Sequence, residues 1–117
     1  MNTHTLEIAL LAVCMIALLW ARSAGASTVT QARQEVWRLW GSSAPRMLCI
    51  IGRESQWRPW AVSPTDDHGL VQLHRPSWQR YFGDRWALVY DPVANVRMGY
   101  RVYRIQGFRA WTTARWC

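Results

Sequence analysis

Ser43-Ala44-Pro45-Arg46-Met47-Leu48-Cys49-Ile50-Ile51-Gly52-Arg53-Glu54-Ser55 forms the most apolar helical stretch downstream of residue 26. Ser43 suits the cap of a helix and Pro45 its first turn, so a helix is expected to run through Arg46–Ile51 towards Glu54. A carboxyl at the end of so apolar a helix keeps its proton to a higher pH, because desolvation penalises the charged form. That is the property a general acid needs. The same residue also reads as an ordinary helix-end Glu paired with Arg53 or Arg58.

Upstream, Val29, Ala32, Val36, Trp37 and Trp40 recur at helical spacing, with Gly41 as a stop. Downstream, residues 56–68 read as a loop broken by Pro59, Ser63-Pro64 and Asp66-Asp67. Leu70–Leu73 is expected to be a short extended piece, and Pro76–Phe82 a short helix ended by Gly83. Asp91-Pro92 is a strong helix start, with Val93, Val96, Tyr100 and Tyr103 on one face until Gly107. The expected fold class is therefore mainly α: a small helical domain with a short irregular or β segment forming a cleft.

The chain has 117 residues, enough for one domain, and its 14 basic residues against 7 acids give a net charge of +7. Every basic residue is Arg. Such an excess attracts anionic polymers, whether nucleic acid, acidic lipid headgroups or wall polymers. Ile8–Ala21 is an unbroken apolar run, followed by Arg22 and Ala24-Gly25-Ala26. A spanning helix needs roughly 20 apolar residues and a signal-peptide core about 7–15. Length and the small-residue triplet point to a signal peptide cut after Ala26. The absence of Lys or Arg before the run points instead to a retained anchor that would touch the membrane through residues 8–21. Residues 1–26 are thus expected to be leader or anchor, and residues 27–117 the working domain. Cys14 lies in the leader, leaving Cys49 and Cys117 as a pair. In an exported chain the pair reads as a disulfide, in a cytosolic one as two thiols.

Glu54-Ser55, Ala61-Val62-Ser63, Gly69-Leu70-Val71-Gln72, Trp78, Leu88, and Asp91-Pro92 with Asn95, Gly99 and Tyr100 occur in that order. The series resembles lytic transglycosylases of the lysozyme superfamily and spans roughly residues 47–111. A second resemblance is to animal-type lysozymes. There a Cys precedes the catalytic Glu by five residues, as Cys49 precedes Glu54. Asp67-His68-Gly69-Leu70-Val71-Gln72 and Gly107-Phe108-Arg109-Ala110-Trp111 echo two further lysozyme segments, and a terminal Cys pairs back to the early one.

These resemblances imply an α+β lysozyme-like fold and an enzyme that cuts the β-1,4 glycan strand of bacterial peptidoglycan. They make Glu54 the acid/base, place Ser55, Gln72 and Tyr100 at the substrate, and pack Trp111 beside Glu54. Transglycosylases manage with one carboxylate and give 1,6-anhydromuramyl ends. Asp67 matches the second carboxylate of a hydrolytic lysozyme, although it follows Glu54 by only 13 residues, a shorter hairpin than the lysozyme one. Equally, Asp66-Asp67 is an ordinary turn pair. Trp57, Trp60, Trp78 and Tyr100 offer flat faces for sugars, with at most two expected to face substrate.

The competing reading is a non-enzymatic Arg/Trp-rich binder of wall or membrane on a lysozyme-like frame. No nucleic-acid partner is expected, since the aromatics form no recognisable stacking platform. His68 and His74 lack a ligand pattern, so neither metal nor cofactor is expected. The implied location is outside the cytoplasm: periplasmic, extracellular, anchored facing the wall, or on a virion. A monomer is expected unless the chain serves a virion or secretion machine.

Overall fold

The computed structural model describes residues 26–117, so the expectations for the apolar run and Cys14 fall outside the described residues. Four α-helices carry the domain: α1 Val29–Trp40, α2 Ala44–Ser55, α3 Arg75–Phe82 and α4 Pro92–Gln106. Short 3-10 turns cover Gly41–Ser43, Gly83–Leu88, Gly107–Ala110 and Thr112–Trp116. The only sheet among the described residues is an antiparallel pair, β1 Asp67–His68 and β2 Leu73–His74, with Asp67 opposite His74. The fold is mainly helical with a small β segment, as the sequence pattern required.

Each helix has a local cause. Thr28 and Gln31 form a reciprocal capping box at the start of α1, and Gly41 ends it at φ 54°. This pair satisfies two backbone N–H groups that the first turn leaves open. Asp91 caps α4 by accepting from the Ala94 N–H at 3.0 Å, with Pro92 in the first turn. Ser27 is tied to the same carboxylate by its backbone N–H and its hydroxyl, both at 2.8 Å. Ser43 departs from expectation. It is helical itself (φ −87°, ψ −2°), because the Gly41–Ser43 turn runs directly into α2, and its side chain caps nothing.

Helix α1 packs on α2 and α4. Ala32, Val36 and Trp40 meet Ala44, Met47, Ile50 and Ile51 of α2 and Val96, Met98 and Val102 of α4 in one buried cluster. Leu70 and Val71 belong to that core, both fully buried. Residues 70–72 are therefore not extended: they are the turn of the hairpin, with Gly69 at φ +78° and Gln72 at φ +55°. A Cβ on Gly69 would stand 2.6 Å from the Val89 carbonyl oxygen and 2.2 Å from Asn95 Nδ2, so both conformation and space call for glycine.

A buried turn must find partners for its backbone polar groups. Asn95, fully buried on α4, clamps the turn to its surroundings. Its Oδ1 accepts from the Val71 N–H at 2.8 Å, and its Nδ2 donates to the Val89 and His68 carbonyls at 2.8 and 3.3 Å. Trp111 Nε1 donates to the Val71 carbonyl at 2.8 Å. Gly99, one turn along α4 from Asn95, lets Val71 approach so closely that a Cβ there would stand 2.8 Å from a valine methyl.

A disulfide joins Cys49 on α2 to Cys117, with Cα atoms 5.8 Å apart across 68 residues of sequence. In the entropic description, closing a loop of this length restricts the unfolded chain by about 4 kcal/mol. No helix among the described residues is long and apolar enough to cross a membrane.

Asn95→Ala strips a buried N–H and two carbonyls of their partner, which should cost about 3 kcal/mol or more. For a domain of this size the midpoint should then fall by at least about 10 °C. Thermal unfolding checks this, and a fall of a degree or two would mean the turn is held by other contacts.

Candidate active site

Glu54 sits in the last turn of α2, where the helix closes on Gln56 in a left-handed conformation. Its carboxyl lines a hollow of about 420 Å³ with Arg58, Trp60, Ala61, Val62, Ser63, Pro64 and Gln72. No arginine pairs with it among the described residues. Its hydrogen-bond partner is the Thr113 hydroxyl, which donates to Oε1 at 2.8 Å. Burial pushes the Glu54 carboxyl above the usual range; the Thr113 bond pulls it down, and the nearby charge of Asp67 pushes it up.

Asp67 on β1 is held the other way. Burial alone would raise it, but hydrogen bonds outweigh burial and bring it below the usual range. Ser63 Oγ donates at 2.6 Å, Thr65 Oγ1 donates to the same oxygen, and His74 Nδ1 lies 3.0 Å from the other. Next to it, Asp66 turns away from the cleft, with Arg75 and His68 on its carboxylate at 2.9 and 2.5 Å.

A second, smaller hollow of about 90 Å³ contains Asp67, His74, Trp78, Val102 and Trp111. Gln72 walls both hollows, so together they make a cleft running between the 58–64 loop and the α4 side. The Gln72 amide nitrogen donates to the Ala61 and Gly69 carbonyls at 3.0 and 2.9 Å, which fixes the side chain across the hairpin base.

The structure thus brings Glu54, Asp67, Gln72 and Trp111 together around the cleft. It does not bring Ser55 or Tyr100 there. Ser55 is buried and donates to the Ile51 carbonyl at 3.1 Å, one helical turn back. Tyr100 packs edge-on against Trp40, with ring centroids 5.0 Å apart. Residues two apart on a helix point to nearly opposite sides, and it is Val102 that lines the cleft. Trp111 holds the hairpin turn through its indole N–H, and the contact to Glu54 comes from Thr113, two residues later. No pattern in the sequence singled out Thr113 or Val102.

Of the four aromatic candidates, Trp60 and Trp78 line the cleft. Trp60 is 72 % exposed at the rim. Trp57 instead carries the Arg33 guanidinium on its face at 4.0 Å.

A wider hollow of about 590 Å³ lies between α1 and the start of α4 and includes Glu35, Arg38, Asp91 and Arg97. Arg38 and Arg97 hold Glu35 below its usual range, and the Ala94 and Ser27 donors overcome burial to do the same for Asp91. With both carboxylates fixed as anions, that hollow offers no proton donor. Only the Glu54 cleft pairs a carboxyl pushed up with one pushed down among the described residues, a contrast that separates a candidate acid from a candidate counter-charge.

A search of curated proteins returns no match to this chain. A family model described as the transglycosylase SLT domain matches residues 27–107. The match covers α1 to the end of α4 and includes Glu54, Asp67, Gln72 and Asn95. The family implies a glycosidase or transglycosylase activity on peptidoglycan glycan strands, and hence export, since that polymer lies outside the cytoplasm. On this match and this lysozyme-like fold, the chain belongs to the transglycosylase SLT domain family.

Proposed function

We propose that residues 27–117 form a lytic transglycosylase that cleaves the β-1,4 bond between MurNAc and GlcNAc with Glu54 as its acid and then its base. Residues 1–26 serve as the export leader or anchor in this reading. The observation that carries it is the Glu54 carboxyl, half-buried in the cleft, met among the described residues by the Thr113 hydroxyl alone and pushed above its usual range.

The step balances without another group. Glu54 donates its proton to the glycosidic oxygen as the C1–O bond breaks, and GlcNAc leaves with a free 4-hydroxyl. Positive charge then builds at C1 and its ring oxygen. The ionised Asp67 stabilises that charge from across the cleft. The muramyl 6-hydroxyl attacks C1 and returns its proton to Glu54, which closes the 1,6-anhydro ring. Gln72 fixes the hairpin base beside the reacting sugar, and Trp60 and Trp78 offer plates for neighbouring sugars.

A hydrolytic second reading is favoured by one specific observation, the depressed pKa of Asp67. An aspartate kept ionised opposite a protonated glutamate is what a retaining hydrolase uses as its second carboxylate.

Glu54→Gln should keep the fold and lower glycan cleavage by several orders of magnitude; retention of a tenth of the activity on purified peptidoglycan would overturn the assignment. Mass spectrometry of the digest should show 1,6-anhydromuramyl ends, whereas reducing-end muramyl products would establish hydrolysis.

The pH profile follows from the two shifts. Glu54 must be protonated, so activity is lost as pH rises through its raised pKa, above the ordinary glutamate range. Protonation of Asp67 removes its supporting charge, so activity should fall modestly as pH drops through its depressed pKa, below the ordinary aspartate range. Asp67→Asn removes the charge that pushes Glu54 up, so the alkaline limb should move to lower pH with a modest loss at the optimum. Collapse of all activity in that variant would favour the hydrolytic route.

A further inference from the structure

The carboxyl of Glu54 is touched by one hydroxyl, and that hydroxyl comes from the far end of the chain. Thr113 sits in the Thr112–Trp116 turn, beyond the residues that the family match covers. Three attachments hold this turn. Trp111 at its start donates to the Val71 carbonyl of the hairpin at 2.8 Å. Arg46 of α2 donates to the Ala114 carbonyl at 3.3 Å, and Ala114 itself is buried in the core. Cys117 is bonded to Cys49, five residues before Glu54 on the same helix. Two of the three attachments are therefore to the helix that carries the acid, and the third is to the hairpin that carries Asp67 and Gln72.

We propose that Thr113 is a positioning residue for Glu54, and that the Cys49–Cys117 bond is the clasp that keeps its hydroxyl on the carboxyl. This rests on the reading of Glu54 as the acid. A half-buried carboxyl with no cation bonded to it has several rotamers of similar energy. One donor on Oε1 selects among them and leaves Oε2 to carry the proton that the glycosidic oxygen receives. Because Thr113 donates, its bond favours the ionised form and opposes the effect of burial, which eases the return of Glu54 to an anion after proton transfer. The charged groups facing Glu54 are Asp67 from the hairpin and Arg58 from the loop that lines the same hollow. Neither hydrogen-bonds it, so the Thr113 contribution is separable from theirs.

The test is kcat/KM against pH on purified peptidoglycan for wild type, Thr113→Val, Thr113→Ser, Cys117→Ser and Glu54→Gln, each with its melting temperature. Valine keeps the shape and removes the donor. The alkaline limb should then move to higher pH by about one unit. The rate at the optimum should fall by roughly ten- to a hundredfold through misplacement of the acid. Serine should restore both. Cys117→Ser should shift the limb in the same direction, and adding Thr113→Val to it should shift it little further. If the valine variant fails to fold, the limb of Cys117→Ser decides alone. A wild-type limb in the folded valine variant overturns the proposal, as does a wild-type limb in Cys117→Ser if valine does not fold. Activity surviving in Glu54→Gln overturns instead the reading on which it rests, so the two failures are told apart.

Discussion

A hairpin turn buried in the core is the constraint on which the rest of this structure depends. Hairpin tips ordinarily lie at the surface, where water satisfies their backbone. Here Leu70 and Val71 are fully buried, and the peptide groups around them need protein partners. Asn95 and Trp111 provide these from α4 and from the chain after it. The arrangement decides where the chemistry lies, because the same turn ends in Gln72 and its flanking strand begins with Asp67. With the tip clamped to α4, Asp67 and Gln72 are set opposite the end of α2. Motif residues such as Gly69, Asn95 and Gly99 thus position the cleft residues Asp67 and Gln72 from behind.

The cleft separates two carboxyls by environment. Glu54 enters from an apolar helix, loses solvent and gains one weak donor. Asp67 stands in a turn of hydroxyls, beside His74, and gains three side-chain donors against its own burial. The difference lies wholly in the neighbours, since the two side chains differ by one methylene. The two are also linked, since the charge of Asp67 raises Glu54. Glu35, Asp66 and Asp91 are lowered by Arg38 and Arg97, by His68 and Arg75, and by the Ala94 and Ser27 donors, so they share the direction of Asp67 and not that of Glu54.

Much of the fold was legible because its signals are local. Gly41, Gly83 and Gly107 each stop a helix at positive φ, and Asp91-Pro92 starts one, as short-range stereochemistry dictates. The burial of the Glu54 carboxyl was legible in the apolar run before it, while its reading as the acid came from the motif series that follows. The 70–72 turn was misread as extended, since an apolar stretch without Asn or Pro gives no turn signal. Its conformation comes from Gly69 and from the grip of Asn95, a contact across 24 residues of sequence. Tyr100 was misassigned because aromatic character says nothing about which side of α4 a residue faces. Ser55 was misassigned because a helix-end hydroxyl satisfies its own backbone as readily as it reaches a ligand. Thr113 carried no signal, since its role exists only once the chain end is folded back.

That folded-back end also explains how so small a domain keeps a catalytic geometry. A domain of this length has little core in reserve, and its last turn is short and 3-10, a poor holder of position by itself. The disulfide supplies what packing does not. It ties the turn to α2 close to the residue whose rotamer matters, while Ala114 and Trp111 seat the same turn on the core and the hairpin. Glu54, its donor and Asp67 are therefore referred to one unit made of α2, the hairpin and the last turn. Helices α1 and α4 form the wall behind that unit. Ser63 of the 58–64 loop is bonded into that unit through Asp67, whereas Arg58 and Trp60 of the same loop stand exposed at the rim.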